Sequence, residues 1–246
     1  MIDFRQGAYQ QTLADVGQVD LVLADPPYGK KTHDGHDSAA RQILSATGQK
    51  TRNNLSYKAW SPDDVREFVA SWAPRCRGWM ACMTSDDLIP VWRQAYRDAG
   101  RLDFPPVGVL IYHPRLLGDG PGSGVIYLMV SRPRGREFMG GWSLPPWYGP
   151  FYPAAERDMH IGGKPGTLMR SLVSDYSRVG DTVCDPTAGR ATTLIAAHSL
   201  GRHGIGSEVD EKTYNLGKER IDRTLQQGDL FDPGTVARSL QTILAL

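Results

Sequence analysis

Cysteine is scarce in this chain, with only Cys76, Cys82 and Cys184 among 246 residues. Three cysteines are too few for a disulfide framework, and the absence of a CxxC pair argues against a zinc motif. No apolar run approaches the roughly 20 residues that span a bilayer. The N-terminus also lacks the basic and apolar regions of a signal peptide. These absences predict a soluble, cytoplasmic protein without a metal site.

Charge of one sign is not in excess overall, because 28 Lys and Arg residues face 27 Asp and Glu residues. Positive charge is nevertheless in excess locally, since residues 29–58 contain six basic residues and two acidic ones. We predict that this segment is a mobile basic loop facing a polyanion, and chance clustering is the alternative. Hydrophobic residues make up 40% of the chain, which is ordinary globular usage.

Short apolar runs alternate with helical patterns along most of the chain, with no clear linker or internal repeat. This alternation predicts a single α/β domain over residues 1–246, with a mostly parallel sheet and helices on both faces. Residues 107–112 and 125–130 predict a hairpin, joined by a flexible connection rich in glycine and proline. The predicted strands outside this hairpin cover residues 19–24, 79–83, 182–185 and 203–207. The predicted helices begin near residues 62, 88, 167, 191 and 210, and residues 132–159 read as irregular.

The first candidate site follows the predicted strand 19–24, where the chain reads Asp25-Pro-Pro-Tyr28. Two prolines remove two backbone donors and make the turn rigid, so carbonyl groups point outward. A carboxylate, free carbonyls and an aromatic ring suit a planar ligand that carries an exocyclic amine. The alternative is a proline-stiffened turn that Asp25 merely caps.

The second candidate site follows the predicted strand 182–185 and reads Asp185-Pro-Thr-Ala-Gly189 before a helix. Small residues let a ligand approach the backbone, and Glu208 ends the next strand, where an acid can accept ribose hydroxyls. Neither a Walker sequence nor a GxGxxG motif is present, so a nucleoside with a carboxylate tail fits better than a dinucleotide. An ordinary helix start near an acid is the alternative.

Four ordered segments together resemble the S-adenosylmethionine-dependent DNA amino-methyltransferases, in the permuted β class. The segments are the DPPY turn, the His160–Leu168 segment, the glycine turn at residues 185–189 and the Gly206–Ile221 segment. The resemblance implies a Rossmann-like class I methyltransferase fold with circularly permuted motif order and a β-hairpin on its C-terminal side. It also implies a bacterial or phage-infected host cell.

The resemblance implies a role for each matching residue. Asp25 and the carbonyl of Pro26 accept hydrogen bonds from the target amino group, and Tyr28, after Pro27, stacks on the extruded base. Glu208 holds the cofactor ribose. The residues implied to approach the methionine carboxylate are Lys164, Thr192 and Thr193, and those implied to line the cofactor are Asp185, Pro186, Thr187, Ala188 and Gly189. The sulfonium methyl is already electrophilic, so no metal is required.

DNA is the implied partner, taken as a duplex from which the target base is flipped out. The residues expected to contact it are Lys30, Lys31, Arg52, Lys58 and Arg115. Asp at the first position of DPPY favours N6 of adenine, because serine is frequent there in N4-cytosine enzymes. An N4-cytosine enzyme, an RNA methyltransferase and a catalytically silent nucleic-acid-binding subunit stay open as alternatives.

Among the departures of this sequence from the family, two bear most on the site. The first turn reads Gly7-Ala8 where Gly-Asp is common, so one cofactor contact is missing or comes from the backbone. Only a short insert at residues 133–158 stands where the family has a target-recognition region. So short a segment predicts low or short-site sequence specificity, and a homodimer or a specificity partner could supply the rest.

Overall fold

A nine-stranded sheet forms the centre of the protein, whose computed structural model describes residues 1–30, 58–117, 120–135, 144–151 and 163–230. The strands are β1 (Ile2–Gln6), β2 (Val19–Ala24), β3 (Cys76–Thr84), β4 (Arg101–Asp103), β5 (Val107–Leu117), β6 (Gly120–Pro133), β7 (Trp147–Phe151), β8 (Thr182–Asp185) and β9 (His203–Glu208). The helices are α1 (Tyr9–Thr12), α2 (Pro62–Trp72), α3 (Ile89–Asp98), α4 (Gly166–Tyr176), α5 (Thr192–Ser199) and α6 (Glu211–Leu230), with a 3₁₀ turn at Asp86–Leu88. No helix in the described ranges is long and apolar enough to cross a membrane.

The strand order is β1-β9-β8-β2-β3-β6-β5-β7, with β4 added beside β6. The first five strands in this order are mutually parallel, and β6 enters antiparallel to β3 and β5. From the β2/β8 pair, the chain winds toward β3 in one direction and toward β9 in the other. The order therefore reverses between β2 and β8, and in open α/β sheets such a switch point opens a crevice at the carboxyl ends of the strands.

Helices cover both faces of the sheet, which confirms the predicted fold class. Strand β2 shows why, since Val22 and Ala24 pack into one apolar layer while Leu21 and Leu23 pack into the other. A strand that is buried on both faces has no polar alternation, and its sequence is a continuous apolar run. Helices α2 and α3 cover the first layer with the side chains Phe68, Trp72, Trp92 and Tyr96, and α4 and α5 cover the second with Leu168, Leu172, Ala196 and Ala197.

The predicted start of helix α2 is confirmed, with a capping arrangement that the sequence indicates. The Ser61 hydroxyl accepts from the backbone N–H of Asp64, and the Asp64 carboxylate accepts from the backbone N–H of Ser61. Pro62 occupies the first turn, where its missing N–H costs nothing. The side chains of Val65, Phe68, Val69 and Trp72 are buried, as their spacing predicts.

Two predictions about the middle of the chain are wrong in extent. The hairpin is longer than predicted, because β5 and β6 run through most of the stretch read as a flexible connection. The hairpin lies in the middle of the chain, and its strand β6 pairs with β3 in the sheet. Residues 147–151, read as irregular, form β7 parallel to β5. The glycine and proline residues in the hairpin connection and in β7 are typical of irregular structure. Proline is nevertheless tolerated in β7 because this strand lies at the end of the sheet.

Candidate active site

The switch point places the two predicted sites side by side. Residues Leu21 and Val22 of β2 pair with Val183 and Cys184 of β8, so the carboxyl ends of these strands leave the sheet together. Asp25 follows one strand and Asp185 ends the other. The structure therefore brings the DPPY turn and the glycine turn, which the sequence predicts as two separate candidate sites, together at one edge of the sheet.

The Asp25 carboxylate is held by its own turn. The Tyr28 hydroxyl donates to Asp25 Oδ1 at 2.9 Å, which ties the aromatic ring to the carboxylate. Asp25, Pro27 and Tyr28 are half-buried, whereas Pro26 is buried. The turn thus leaves a carboxylate and a ring partly open to a ligand.

Two polar residues that follow strand β3, Ser85 and Asp87, support this turn, and neither was a predicted site residue. The backbone N–H of Gly29 donates to Ser85 Oγ at 3.0 Å, and the Ser85 hydroxyl donates to Asp87 Oδ1 at 2.5 Å. A Cβ at position 29 would come too close to the Asp87 carboxylate, so any larger residue there would force the Asp87 side chain to move. The sequence signal that could have identified Ser85 and Asp87 is the one that marks Asp25, namely polar residues directly after a buried strand.

The two ends of the predicted basic segment meet beside Tyr28. The backbone N–H of Trp60 donates to the Tyr28 carbonyl at 3.1 Å, and Gly29 pairs with Trp60 in an isolated bridge. The Trp60 ring packs 5.4 Å from Phe68, between ring centroids, and so anchors this pairing to the core. Lys30 and Lys58 flank the bridge and are exposed. The structure thus brings these two predicted DNA contacts to the rim of the DPPY turn.

Three predicted DNA contacts are not placed by the structure. Lys31 and Arg52 lie outside the described residues. Arg115 lies on β5 opposite Ser123, but its side chain is outside the described part.

Asp185 is fully buried and bound by neighbours of its own turn. The Thr193 hydroxyl donates to Asp185 Oδ2 at 2.5 Å, and the backbone N–H of Thr187 donates to Oδ1 at 3.1 Å. Burial is the largest influence and raises the pKa of Asp185 to about 7, with the charges of Asp25 and Glu208 acting in the same direction. Thr193 is itself buried and therefore serves the site through Asp185.

Glu208 faces the glycine turn and ties it to the end of β9. Its carboxylate accepts from the backbone N–H of Gly189 at 3.0 Å and from that of Asp210 at 2.8 Å. Burial raises the pKa of Glu208, and the two backbone donors oppose that rise. Each carboxylate oxygen has a second lone pair, so the group can still accept from a ligand.

An uncommon backbone conformation occurs two residues after the glycine turn, directly before α5. Ala191 has φ of 61°, in the left-handed region that alanine rarely adopts. Such a conformation persists only where its surroundings impose it, and it is frequent at ligand sites. Pro186 and Ala188, which belong to the glycine turn, are buried.

Helix α6 fixes this turn through Arg220, a residue to which the sequence analysis gives no role. Its guanidinium donates to the Arg190 carbonyl at 2.7 Å and to the Thr192 hydroxyl at 3.0 Å. Thr192 is thus placed at the start of α5, beside the turn. Arg220 belongs to the fourth segment of the family resemblance, which was the available signal.

Lys164 lies in the crevice, but its partner differs from the expected one. Its ammonium donates to Asp25 Oδ2 at 2.5 Å and lies 5.2 Å from the centroid of the Tyr28 ring. The residue immediately precedes Pro165, the N-cap of α4. The structure therefore connects this lysine with the DPPY carboxylate.

Comparison with known proteins places this crevice in a family. The model of the N6/N4 DNA methylase family matches residues 93–219, just over half of the chain. The chain belongs to this family. It is thus related to the S-adenosylmethionine-dependent DNA amino-methyltransferases, as the motif order indicates. The match includes Lys164 and the whole second site, whereas the Asp25 turn precedes it.

Individual relatives agree with this placement. YubD of Escherichia coli is 27% identical over 227 residues, which cover 87% of this chain and 88% of YubD. The DNA adenine methyltransferase YhdJ of Escherichia coli is 36% identical over 67 residues, or 27% of this chain and 23% of YhdJ. The M1.HpyAVI–SAM complex has a TM-score of 0.67 at 18% identity, covering 90% of this chain and 99% of that one. This last likeness confirms the class I methyltransferase fold.

The raised pKa of Asp185 predicts a pH dependence of folding. The folded protein keeps a proton on Asp185 between about pH 4 and pH 7, where the unfolded chain has released it. The free energy of unfolding therefore falls as pH rises through this window and levels off above it. Urea denaturation of the cofactor-free protein at several pH values measures this fall, which Asp185→Asn removes. Parallel pH profiles for the two proteins would contradict the assignment.

Proposed function

We propose that the protein transfers a methyl group from S-adenosylmethionine to N6 of adenine in DNA, with the target base flipped out of the helix. The observation that carries the proposal is the meeting of Asp25 and Asp185 at the switch point. One strand end offers acceptors for an exocyclic amine, and the neighbouring one offers a cofactor site. The family membership supplies the reaction class, and the residue roles below are part of the proposal.

The second site suits the cofactor because of its donors and charge. S-adenosylmethionine carries an ammonium and a sulfonium, which suit a crevice with the carboxylates of Asp185 and Glu208. Glu208 retains lone pairs for the two ribose hydroxyls. The Gly189 turn brings the backbone close to the ligand, with Thr187 and Thr192 at its rim. When bound, the cofactor supplies an electrophilic methyl group.

The first site handles the base. Asp25 and the Pro26 carbonyl accept the hydrogens of the target amine, which raises electron density on its nitrogen. Tyr28 offers its ring to the face of the base, and stacking of this kind contributes about 1–3 kcal/mol per base. Pro27 and the support of Gly29 by Ser85 keep these groups fixed before the base arrives, which is the principal requirement of a direct transfer.

Adenine is preferred over cytosine because the first residue of the motif is Asp25. The relative YhdJ is named as an adenine methyltransferase, which supports the same assignment. The solved PvuII DNA methyltransferase, named as cytosine-N4-specific, has a similar fold at 12% identity and a TM-score of 0.62. It covers 89% of this chain, so the fold alone does not exclude cytosine.

The surface around the crevice suits DNA. Lys30 and Lys58 are exposed at the rim beside Tyr28. Strand β6 pairs with β3 as far as Tyr127, opposite Thr84, and the hairpin continues beyond this point at the end of the sheet where Asp25 lies. We propose that Arg115, on this hairpin, contacts the DNA backbone. We propose the same contact for Lys31 and Arg52 of the 29–58 segment. Such contacts fix position and carry no sequence information.

The direct test is to identify the methylated nucleoside. The protein is incubated with labelled S-adenosylmethionine and unmethylated duplex DNA, and the digested nucleosides are analysed by mass spectrometry. We expect N6-methyladenine, and a loss of about 10²–10³-fold in Asp25→Ala, because one aligned hydrogen-bonding group at a reacting centre is worth about that much. The matched control Asp222→Ala removes an exposed carboxylate from α6 and keeps full activity.

Other products would separate the alternatives. N4-methylcytosine would keep the mechanism and overturn the choice of base. Methylation of structured RNA without methylation of duplex DNA would indicate an RNA enzyme. Cofactor binding without any product would indicate a silent nucleic-acid-binding subunit, or a chain that requires a partner.

We further propose that sequence specificity is low or confined to a short site, because residues 133–158 are a short insert at the place where the family resemblance implies a target-recognition region. Of this insert, residues 133–135 and 144–151 are described, and the latter end in β7 at the edge of the sheet. Mapping the methylated positions in the treated DNA measures the site directly. We expect few defined bases around the modified adenine, and a site of six or more would contradict the proposal.

A further inference from the structure

Both oxygens of the Asp25 carboxylate have donors from within the chain. The Tyr28 hydroxyl binds Oδ1 at 2.9 Å, and the Lys164 ammonium binds Oδ2 at 2.5 Å. The Lys164 and Asp25 side chains are 12% and 22% exposed, so this ion pair is largely shielded from water. A shielded pair holds its geometry better than a surface pair, and its loss has a larger effect.

The position of Lys164 is unfavourable for the helix that it precedes. Helix α4 begins at Gly166, and the N-terminal end of a helix carries partial positive charge. A cation at this end is repelled, so helix stability does not explain a lysine here. The Asp25 carboxylate, which comes from a different part of the chain, offsets this repulsion. The ion pair therefore couples the start of α4 to the DPPY turn.

Acidic groups lie close together at this edge of the sheet. The negative charges of Asp25 and Glu208 act, together with burial, to raise the pKa of Asp185. Lys164 contacts Asp25 directly and supplies a positive charge there. A carboxylate has about four lone-pair positions, and Tyr28 and Lys164 occupy two of them. The remaining positions are available to one hydrogen of an exocyclic amine, whose other hydrogen is left for the Pro26 carbonyl.

We propose that Lys164 is a positioning residue for methyl transfer, whose ion pair holds Asp25 in the orientation that accepts the target amine. The proposal rests on the proposed function, and it gives Lys164 a role other than the contact with the methionine carboxylate that the family resemblance implies. A positioning role acts on the rate of transfer, whereas a cofactor contact acts on cofactor affinity. These two effects are measured separately.

The test compares Lys164→Met with wild type at saturating cofactor. We expect kcat to fall about 10–100-fold, the loss typical of a charged hydrogen bond, with the Kd of S-adenosylmethionine within about threefold of wild type. Lys164→Arg restores part of kcat because it retains the charge. The matched control Lys218→Met removes an exposed lysine from α6 and leaves both quantities unchanged.

A double-mutant cycle asks whether Lys164 acts through Asp25. In the Asp25→Asn background, Lys164→Met lowers single-turnover transfer by less than about threefold, because the partner is already lost. Thermal unfolding of all four cofactor-free proteins repeats the cycle without activity and identifies any variant that fails to fold. We expect the two substitutions to be non-additive in both measurements.

Two results would overturn the inference. One is a cofactor Kd raised tenfold or more in Lys164→Met with kcat unchanged, which would make Lys164 a cofactor contact. The other is full additivity in both cycles. A wild-type protein that methylates no nucleic acid contradicts the proposed function itself, and is distinct from an active wild type whose Lys164→Met variant is equally active.

Discussion

The parallel pairing of β2 with β8 is the constraint on which the site depends. It joins two halves of the sheet that wind in opposite directions, and it brings Asp25 and Asp185 to adjacent strand ends. In the proposed function neither acid alone defines a methyl-transfer site, since Asp25 offers an acceptor to the target amine and Asp185 belongs to the turn assigned to the cofactor. Their adjacency follows from backbone hydrogen bonding between two central strands of the sheet.

Gathering acids in a crevice has an electrostatic cost, and the surrounding residues offset it. Thr193 and Thr187 donate to Asp185, and the backbone N–H groups of Gly189 and Asp210 donate to Glu208. Burial still raises the pKa values of both acids, so the compensation is incomplete. In the proposed function the cationic cofactor completes it, and the cofactor-free site gives up some stability in exchange for a preference for positive charge.

Much of the fold could be predicted because its strongest signals are local. The apolar run of β2, the Ser61 cap of α2 and the strand ends at Asp185 and Glu208 each follow from residues close together in sequence. The length of the hairpin and the existence of β7 could not be predicted in this way. Their strands are held by backbone pairing with neighbours, which glycine and proline in the sequence conceal.

The candidate site shows the same division between local and distant information. The motif residues and their order indicate the two strand ends, but not which side chains meet across the crevice. Two contacts join segments that are far apart in the chain: the ion pair of Lys164 with Asp25, and the hydrogen bond from Arg220 to the Arg190 carbonyl. Such partners depend on the packing of helices against the sheet, on which periodicity and motif spacing carry no information.

Calorimetric titration of S-adenosylmethionine into wild type and Glu208→Gln tests most directly whether this crevice is the cofactor site. The exposed Glu219→Gln variant of α6 serves as the matched control. We predict that Glu208→Gln weakens binding about 10–100-fold, because a charged acceptor of hydroxyl groups is lost, while Glu219→Gln binds like wild type. Equal affinity in all three proteins would contradict the account and place the cofactor elsewhere.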